Sequence, residues 1–142
     1  MPKILVKIIC GILIVLVTML GVSACASKPE PEYASQITES ILQAMNEDDY
    51  AKYTEHFDEM MKNAVTEAVF EENNSLIKSI IGDYESKEFW KVEEEDTYTI
   101  VFYKAKFNQE PDDVIVQVVF QEIWGTIYVS GLWYDSPKLR MQ

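Results

Sequence analysis

The pattern of hydrophobic and polar positions divides the chain into three parts. Residues 8–20 are an almost unbroken, uncharged run of Ile, Leu, Val and Met. Between residues 35 and 81, apolar residues recur every three to five positions, which predicts amphipathic helices. From Tyr84 onward the pattern changes, because twelve of the 17 aromatic residues lie in residues 84–134 among β-branched residues. That composition is typical of strands.

Three helices are predicted in the first half of the domain. The first begins near Ser35 and has an apolar stripe of Ile37, Ile41, Leu42 and Met45. The second covers about residues 50–65. The third follows Thr66, a residue type suited to an N-cap, and runs to Ile81, where Gly82 provides the stop.

Four strands are predicted in the second half, over residues 84–93, 97–107, 113–121 and 126–134. The connections between them are short, which favours antiparallel neighbours. The predicted fold class is therefore α+β, with N-terminal helices packed on one face of a curved four-stranded antiparallel sheet.

The last hairpin allows a prediction of register. If residues 122–125 form a four-residue loop, the facing pairs are Phe120 with Ile127, Val118 with Val129, Val116 with Gly131, and Val114 with Trp133. Every pair is apolar or contains Gly, so Phe120 and Trp133 are expected on the helix-covered face and Gln117 and Gln121 on the opposite one. The first strand stays ambiguous, since Phe89 points one way and Trp90 and Val92 the other.

The leading apolar run has the features of a secretion signal. Lys3 and Lys7 precede it, and its length fits the apolar region of a signal peptide, about 7–15 residues, better than the roughly 20 of a membrane-spanning helix. Val22-Ser23-Ala24-Cys25 follows it and resembles the lipobox of bacterial lipoproteins. The resemblance implies cleavage between Ala24 and Cys25, a diacylglyceryl group on the Cys25 sulfur, and acylation such as palmitate on the new N-terminus.

This interpretation gives a signal peptide over residues 1–24, a lipidated Cys25 with a Pro/Glu-rich tether over residues 25–33, and a single domain over residues 34–142. The predicted location is the extracytoplasmic face of the cell membrane, with the acyl chains as the anchor. The alternative is an ordinary signal peptide or an uncleaved anchor in which Cys25 has no role.

Charge restricts the partners. The chain has 12 Lys+Arg and 24 Asp+Glu, and loss of the leader removes two lysines, which leaves a net charge of −14. No cluster of Lys and Arg is present, so nucleic acid is not an expected partner. A protein partner would have to present a basic surface. Both cysteines lie in the first 25 residues, so the domain has neither a disulfide nor a cysteine metal site.

Residues that could carry chemistry are few, and no catalytic, metal or cofactor site is predicted. His56 has Glu59 on the same helical face, which is too few ligands for zinc. Glu93-Glu94-Glu95-Asp96 lacks the spaced ligands of a calcium loop and is expected to be a solvated turn. Tyr103 could be an oxyanion donor, although a core tyrosine is the favoured interpretation.

Several segments, in this order, resemble the family catalogued as domain of unknown function 3887. They are Ala44-Met45-Asn46, Asp49-Tyr50, Phe57-Asp58-Glu59-Met60-Met61-Lys62, Gly82-Asp83-Tyr84-Glu85-Ser86, Tyr103-Lys104-Ala105-Lys106-Phe107 and Ser130-Gly131-Leu132-Trp133. They span roughly residues 36–134. The resemblance implies the cone-like fold of the nuclear transport factor two-like (cystatin-like) group and implies no activity. Trp124 departs from it, since a polar turn is expected there.

Two function hypotheses follow from these features. The first is a non-catalytic binding or interaction module that takes an apolar small molecule or a basic protein. The alternative is a small isomerase- or cyclase-like enzyme with an apolar pocket, which a buried Asp or His would favour. The candidate pocket residues are Tyr53, Phe57, Met60 and Met61 on the helices and Val101, Tyr103, Val116, Val118 and Trp133 on the sheet. These residues could equally well fill an ordinary core.

Overall fold

The fold confirms the predicted α+β class. The computed structural model describes residues 27–142, so the predicted signal peptide, Ala24 and Cys25 lie outside the described residues. The helices in this part of the chain are α1 (Glu32–Glu47), α2 (Tyr50–Tyr53), α3 (Glu59–Ala64), α4 (Glu67–Ile81) and α5 (Pro137–Arg140). The strands are β1 (Tyr84–Glu95), β2 (Tyr98–Phe107), β3 (Glu110–Ile123) and β4 (Thr126–Asp135). They form one antiparallel sheet in the order β1-β2-β3-β4.

The first helix buries the predicted apolar stripe. Ile37, Ile41, Leu42 and Met45 are all buried against the sheet. Helix α1 begins at Glu32, three residues before the predicted start. It ends at Glu47, and the C-cap residue Asp48 adopts a left-handed conformation with φ of 54°. Within residues 27–142, no helix is long and apolar enough to cross a membrane.

The prediction of one continuous helix over residues 50–65 was wrong. Residues 54–58 interrupt it, because Phe57 forms a parallel bridge with Val129 at the edge of β4. The Val129 N–H donates to the carbonyl of His56 at 2.7 Å, and the Asp58 N–H donates to the carbonyl of Val129 at 3.0 Å. The Asp58 carboxylate then starts α3 by accepting a hydrogen bond from the Met61 N–H at 2.7 Å.

The third predicted helix is present with both of its predicted ends. The Thr66 hydroxyl accepts a hydrogen bond from the Val69 N–H at 3.4 Å, which caps α4. Gly82 follows the last helical residue with φ of 81°, a conformation that glycine adopts without the steric cost of a Cβ.

The predicted register of the last hairpin was also wrong. The turn contains only Trp124 and Gly125, so Phe120 faces Val129 instead of Ile127. An irregularity between Val119 and Phe120 leaves Ser130 without a partner and shifts the pairing by one further residue. Such a bulge exchanges the faces of every residue beyond it. Phe120 is therefore buried as predicted, whereas Trp133 lies opposite Gln117 on the outer face.

Trp133 is consequently not a core residue, and its expected burial was wrong. Its side chain is 55% exposed, and its ring covers the backbone of Gly131. Leu132 and Tyr134 take the core-facing positions in its place. Met60 is likewise exposed, at 80%, because helix α3 turns it toward solvent while Met61 packs on the core.

A second bulge resolves the ambiguity in the first strand. The pairing of β1 with β2 is irregular between Phe89 and Lys91, so Trp90 is the extra residue. Phe89 and Val92 both pack against the core although they are three positions apart, and Trp90 is 45% exposed on the outer face. Strict alternation could not have placed all three residues.

Candidate functional site

The candidate pocket residues fall into three groups in the structure. Phe57, Val101, Tyr103, Val116 and Val118 are fully buried core residues. Tyr53 and Met61 are partly buried beside that core, and Met60 and Trp133 face solvent. The structure therefore does not bring the nine residues together around one space. Tyr53 and Met61 line one cavity, and Met60 lines a separate surface groove.

The cavity lies on the helical side of the sheet, where α4 and the segment around α2 and α3 meet β4. Its volume is about 220 Å³. Most of its lining is apolar, with aromatic, aliphatic and methionine side chains. It is lined by Met45, Tyr53, Met61, Val65, Phe70, Asn73, Asn74, Leu76, Ile77, Leu132 and Tyr134. We call this space the helix-side cavity.

Asn74 of α4 fixes one wall of the helix-side cavity. It is buried, and its Nδ2 donates to the carbonyl of Met45 at 2.8 Å and to Oδ1 of Asp48 at 2.7 Å. Lys78, one helical turn later, donates from Nζ to both carboxylate oxygens of Asp48 at 3.2 and 3.1 Å. These bonds hold α4 against the C-terminal end of α1 and so fix the position of this wall.

Two polar atoms of the lining residues are buried without a hydrogen-bond partner among the described residues, Oδ1 of Asn74 and Oη of Tyr134. Tyr134 faces the Tyr53 hydroxyl without a hydrogen bond of ordinary geometry. Burial raises the pKa of both tyrosines, so both hydroxyls stay protonated at neutral pH. A buried polar group without a partner costs about 1–3 kcal/mol. Neither atom is exposed at the surface of the empty cavity, so a bound molecule meets this acceptor and this donor once the lining side chains move slightly.

The contacts of Tyr103 give it a structural role in the core. Its hydroxyl donates to Oε1 of Glu30 at 2.6 Å, and its ring packs edge-on against Phe89 and under the Lys87 ammonium group. Burial, and then the hydrogen bond to the Glu30 carboxylate, raises its pKa far above the ordinary value. The Tyr103 hydroxyl therefore uses its proton in a structural hydrogen bond to Glu30, in the segment that precedes α1.

The single histidine and the acidic run lie on the surface. His56 Nε2 is 4.0 Å from Oε2 of its neighbour Glu55, and the two side chains are 38% and 63% exposed. Within residues 27–142, no group of three or more His, Cys, Asp or Glu side chains is arranged to hold a metal ion. Glu94 of the acidic run forms an exposed ion pair with Lys28.

Asn74, Leu132 and Tyr134 line the cavity but were not among the predicted pocket residues. Asn74 did leave a signal, because it lies four residues after Phe70 and three before Ile77, in the middle of the apolar face of a helix. A polar residue at such a position is an indication of a buried hydrogen bond. Leu132 and Tyr134 could not be found, since their facing depends on the bulge at Ser130.

Comparison with known proteins settles the family. The family described as "Protein of unknown function (DUF3887)" matches residues 38–123, which is more than half of the chain. The chain belongs to this family. The matched region of this DUF3887 member runs from within α1 to the end of β3.

The residues that carried the family resemblance hold the fold together. The Asn46 side chain donates to the carbonyl of Tyr84 at 2.8 Å and accepts from its N–H at 2.9 Å, which fixes the start of β1 to the end of α1. Asp49 caps α2 by accepting from the Lys52 N–H at 3.0 Å. Tyr50 donates to the carbonyl of Val65, a residue of the cavity wall, at 2.9 Å.

The chain was also compared with solved structures and with curated proteins. A solved structure of the Bdellovibrio bacteriovorus protein Bd1075 aligns with 74% of the chain at 15% identity and a TM-score of 0.46. The chain spans 40% of the length of that protein. No curated protein matches the sequence of the chain.

Proposed function

We propose that this DUF3887 protein is a membrane-anchored extracytoplasmic lipoprotein whose domain is a non-catalytic binding module. Its ligand is a small, mostly apolar molecule with one hydrogen-bonding group. The observation that carries the proposal is the helix-side cavity, in which an apolar lining is combined with unpartnered polar atoms of Asn74 and Tyr134. Apolar walls with a few placed polar groups are characteristic of ligand sites.

The size of the cavity limits the ligand. A volume of about 220 Å³ is below the 300–1,000 Å³ of drug-sized sites. An engineered apolar cavity of about 150 Å³ takes up benzene. A single aromatic ring or a short branched chain is therefore the expected size. Met45 and Met61 in the wall can adjust their flexible side chains to different shapes of this size.

The composition of the lining favours binding over the enzyme alternative. None of the residues that line the helix-side cavity is a carboxylate or an imidazole, the usual general bases. The carboxylate closest in the hydrogen-bond network is Asp48, which is already bound by Asn74 and Lys78. Turnover of a molecule bound in the cavity would overturn the non-catalytic proposal.

Anchoring rests on the sequence of the leader. The uncharged run of residues 8–20, the lipobox-like Val22-Ser23-Ala24-Cys25 and the polar segment after it support acylation of Cys25. Mass spectrometry of the membrane-extracted protein should find an N-terminal acylated Cys25. The Cys25→Ser variant should keep its leader, and an unmodified N-terminus in the wild type would overturn the anchoring.

Phenol and benzene serve as probe ligands, and binding is measured by NMR from the methyl resonances of the methionines. Phenol should shift the resonances of Met45 and Met61, which line the cavity. Met60 and Met141 are 80% and 75% exposed and serve as internal controls that should not shift. Phenol should bind more tightly than benzene, because its hydroxyl can satisfy Asn74 Oδ1 and Tyr134 Oη once the flexible methionine side chains of the lining adjust.

Two variants separate the cavity from the surface in this experiment. Tyr134→Phe removes one hydrogen-bond partner and should weaken phenol binding by about tenfold while leaving benzene unaffected. Tyr128→Phe is the matched control, since Tyr128 lies on the outer face opposite Gln121. Equal binding of phenol and benzene, or equal effects of the two variants, would contradict the proposal.

A further inference from the structure

The tip of the β3–β4 hairpin presents an unusual tryptophan. Trp124 is fully exposed, with a relative accessibility of 100%, and has φ of 53° next to Gly125 with φ of 79°. Two-residue turns of this type favour Asn, Asp and Gly, which tolerate left-handed backbone. The β1–β2 turn follows the rule, with Asp96 at φ of 54°. A bulky apolar residue at such a position is a genuine outlier.

Trp124 has other apolar side chains near it that are exposed or half-buried. Ile123 precedes it and lines one surface groove together with Met60, which is 80% exposed. Tyr98, at the start of β2, is 39% exposed at the same end of the sheet, where it pairs with Gln121. We call Met60, Tyr98, Ile123 and Trp124 the apolar tip.

The chain enters the domain at this same end of the sheet. Lys28 pairs with Glu94, four residues before Tyr98, and the Tyr33 ring packs edge-on against Phe120 at 5.2 Å. Cys25 is three residues before Lys28. An extended chain spans at most about 3.6 Å per residue, so a linker of three residues reaches no more than about 11 Å.

The tip also projects further than the neighbouring β1–β2 turn. Gln121 lies level with Tyr98, and its Nε2 donates to Oγ1 of Thr97 in the neighbouring turn at 3.2 Å. β3 continues for two residues beyond Gln121 before the turn at Trp124. At about 3.3 Å per residue, Trp124 extends about 7 Å past the β1–β2 turn.

We propose that the apolar tip rests in the headgroup region of the bilayer, with Trp124 as its anchor side chain. The inference rests on the anchoring part of the proposed function and is independent of the helix-side cavity. The short distance from Cys25 to Lys28 directs this end of the domain toward the membrane that holds the acyl chains. Tryptophan favours that interface, because its ring is apolar and its N–H is polar.

Acidic side chains at this end make the contact dependent on lipid charge. Glu95 and Asp96 form the neighbouring turn, and Glu122 lies in β3 two residues before Trp124. Negative lipids attract basic segments and repel acidic ones over about one Debye length. The tip should therefore enter a zwitterionic surface more readily than an anionic one.

The test reconstitutes the full lipidated protein into phosphatidylcholine vesicles whose acyl chains carry bromine, a quencher of tryptophan fluorescence. One variant, Trp90→Phe with Trp133→Phe, leaves Trp124 as the fluorophore. A matched variant, Trp124→Phe with Trp133→Phe, leaves Trp90 on the outer face. Quenching of Trp124 should exceed that of Trp90 by about twofold or more, as expected for an interfacial side chain.

A further variant avoids any change to the sheet. Trp124→Ser alone keeps Trp90 and Trp133, and the quenchable part of the wild-type signal should be lost in it. Replacing half of the phosphatidylcholine by phosphatidylglycerol should reduce the quenching of Trp124 at low salt, and added salt should restore it.

The outcomes separate this inference from the proposed function. If mass spectrometry finds acylated Cys25 in the vesicles but Trp124 is quenched no more than Trp90, the inference is overturned and the anchoring stands. If Cys25 is unmodified, both are overturned. If Trp124 is not quenched and instead crosslinks to an envelope protein, the inference is overturned, and the occupant of the apolar tip is a protein and not the bilayer.

Discussion

The two faces of the sheet contain similar side chains and have opposite surroundings. On the covered face, the helices bury Val101, Tyr103, Val116, Val118 and Phe120. On the outer face, Trp90 and Trp133 remain about half exposed. Lysines shield part of this outer surface: Lys91 Nζ lies 4.4 Å from the Phe102 ring centroid, and Lys104 Nζ lies 5.2 Å from that of Trp90. Composition therefore does not identify the core of this sheet.

The bulges decide which face an aromatic residue occupies. The irregularity after Phe89 keeps both Trp90 and Lys91 on the outer face and returns Val92 to the core, and the one at Ser130 turns Trp133 outward. The second bulge also brings Leu132 and Tyr134 to the covered face, where they line the helix-side cavity. A single unpaired residue thus determines both the exposure of one tryptophan and the walls of the candidate site.

The covered face should show the largest loss of stability on truncation. Phe57 is fully buried, packs edge-on against Tyr53 at 5.3 Å and lies at the bridge to Val129. Phe57→Ala should lower the free energy of unfolding by about 3–5 kcal/mol, since it removes a large apolar side chain and leaves a cavity. Urea denaturation measures this loss. A loss below about 1 kcal/mol would contradict the assignment of Phe57 to a core on the covered face of the sheet.

Ionisable groups on the two faces should differ in their effect on acid stability. Burial by itself would raise the pKa of Glu110, but hydrogen bonds from Ser136 and from the Lys138 and Asp112 N–H groups outweigh it and lower the pKa. A lowered pKa stabilises the fold above the ordinary value of 4.5, and this stabilisation is lost as pH falls below it.

Glu110→Gln should therefore flatten the acid arm of a plot of unfolding free energy against pH. The matched control is Asp113→Asn on the outer face, where the hydrogen bond and charge of Lys106 lower the pKa of an exposed carboxylate. Its effect should be smaller, because solvent screens exposed ion pairs. Equal slopes for both variants would contradict a special role for Glu110.

The smallest effect is expected at the outer-face tryptophan. Trp133→Ala should cost about 1 kcal/mol or less, because the ring is 55% exposed and mainly covers Gly131. Gly131→Ala places a Cβ 2.5 Å from that ring and should be easier to tolerate in the Trp133→Ala background. Thermal unfolding of the two single variants and the double variant tests this. A loss of several kcal/mol for Trp133→Ala would place the ring in the core.

Local patterns predicted most of the fold and little of the site. The apolar stripe of α1, the Thr66 cap and the Gly82 stop of α4, and the existence of four antiparallel strands follow from neighbouring residues. Of the nine candidate pocket residues, only Tyr53 and Met61 line the cavity. The other positions depend on which segments meet across the fold.

The sequence by itself determined the fold class, the order of helices before four antiparallel strands and both ends of α4, because spacing, caps and glycine conformation act within a few residues. Tertiary structure decided the break at Phe57, the register of β4 and the facing of Trp90 and Trp133. Each of these depends on a contact between residues far apart in the chain, such as the bridge from Phe57 to Val129. Alternation cannot anticipate a bulge, since one extra residue reverses every side chain beyond it.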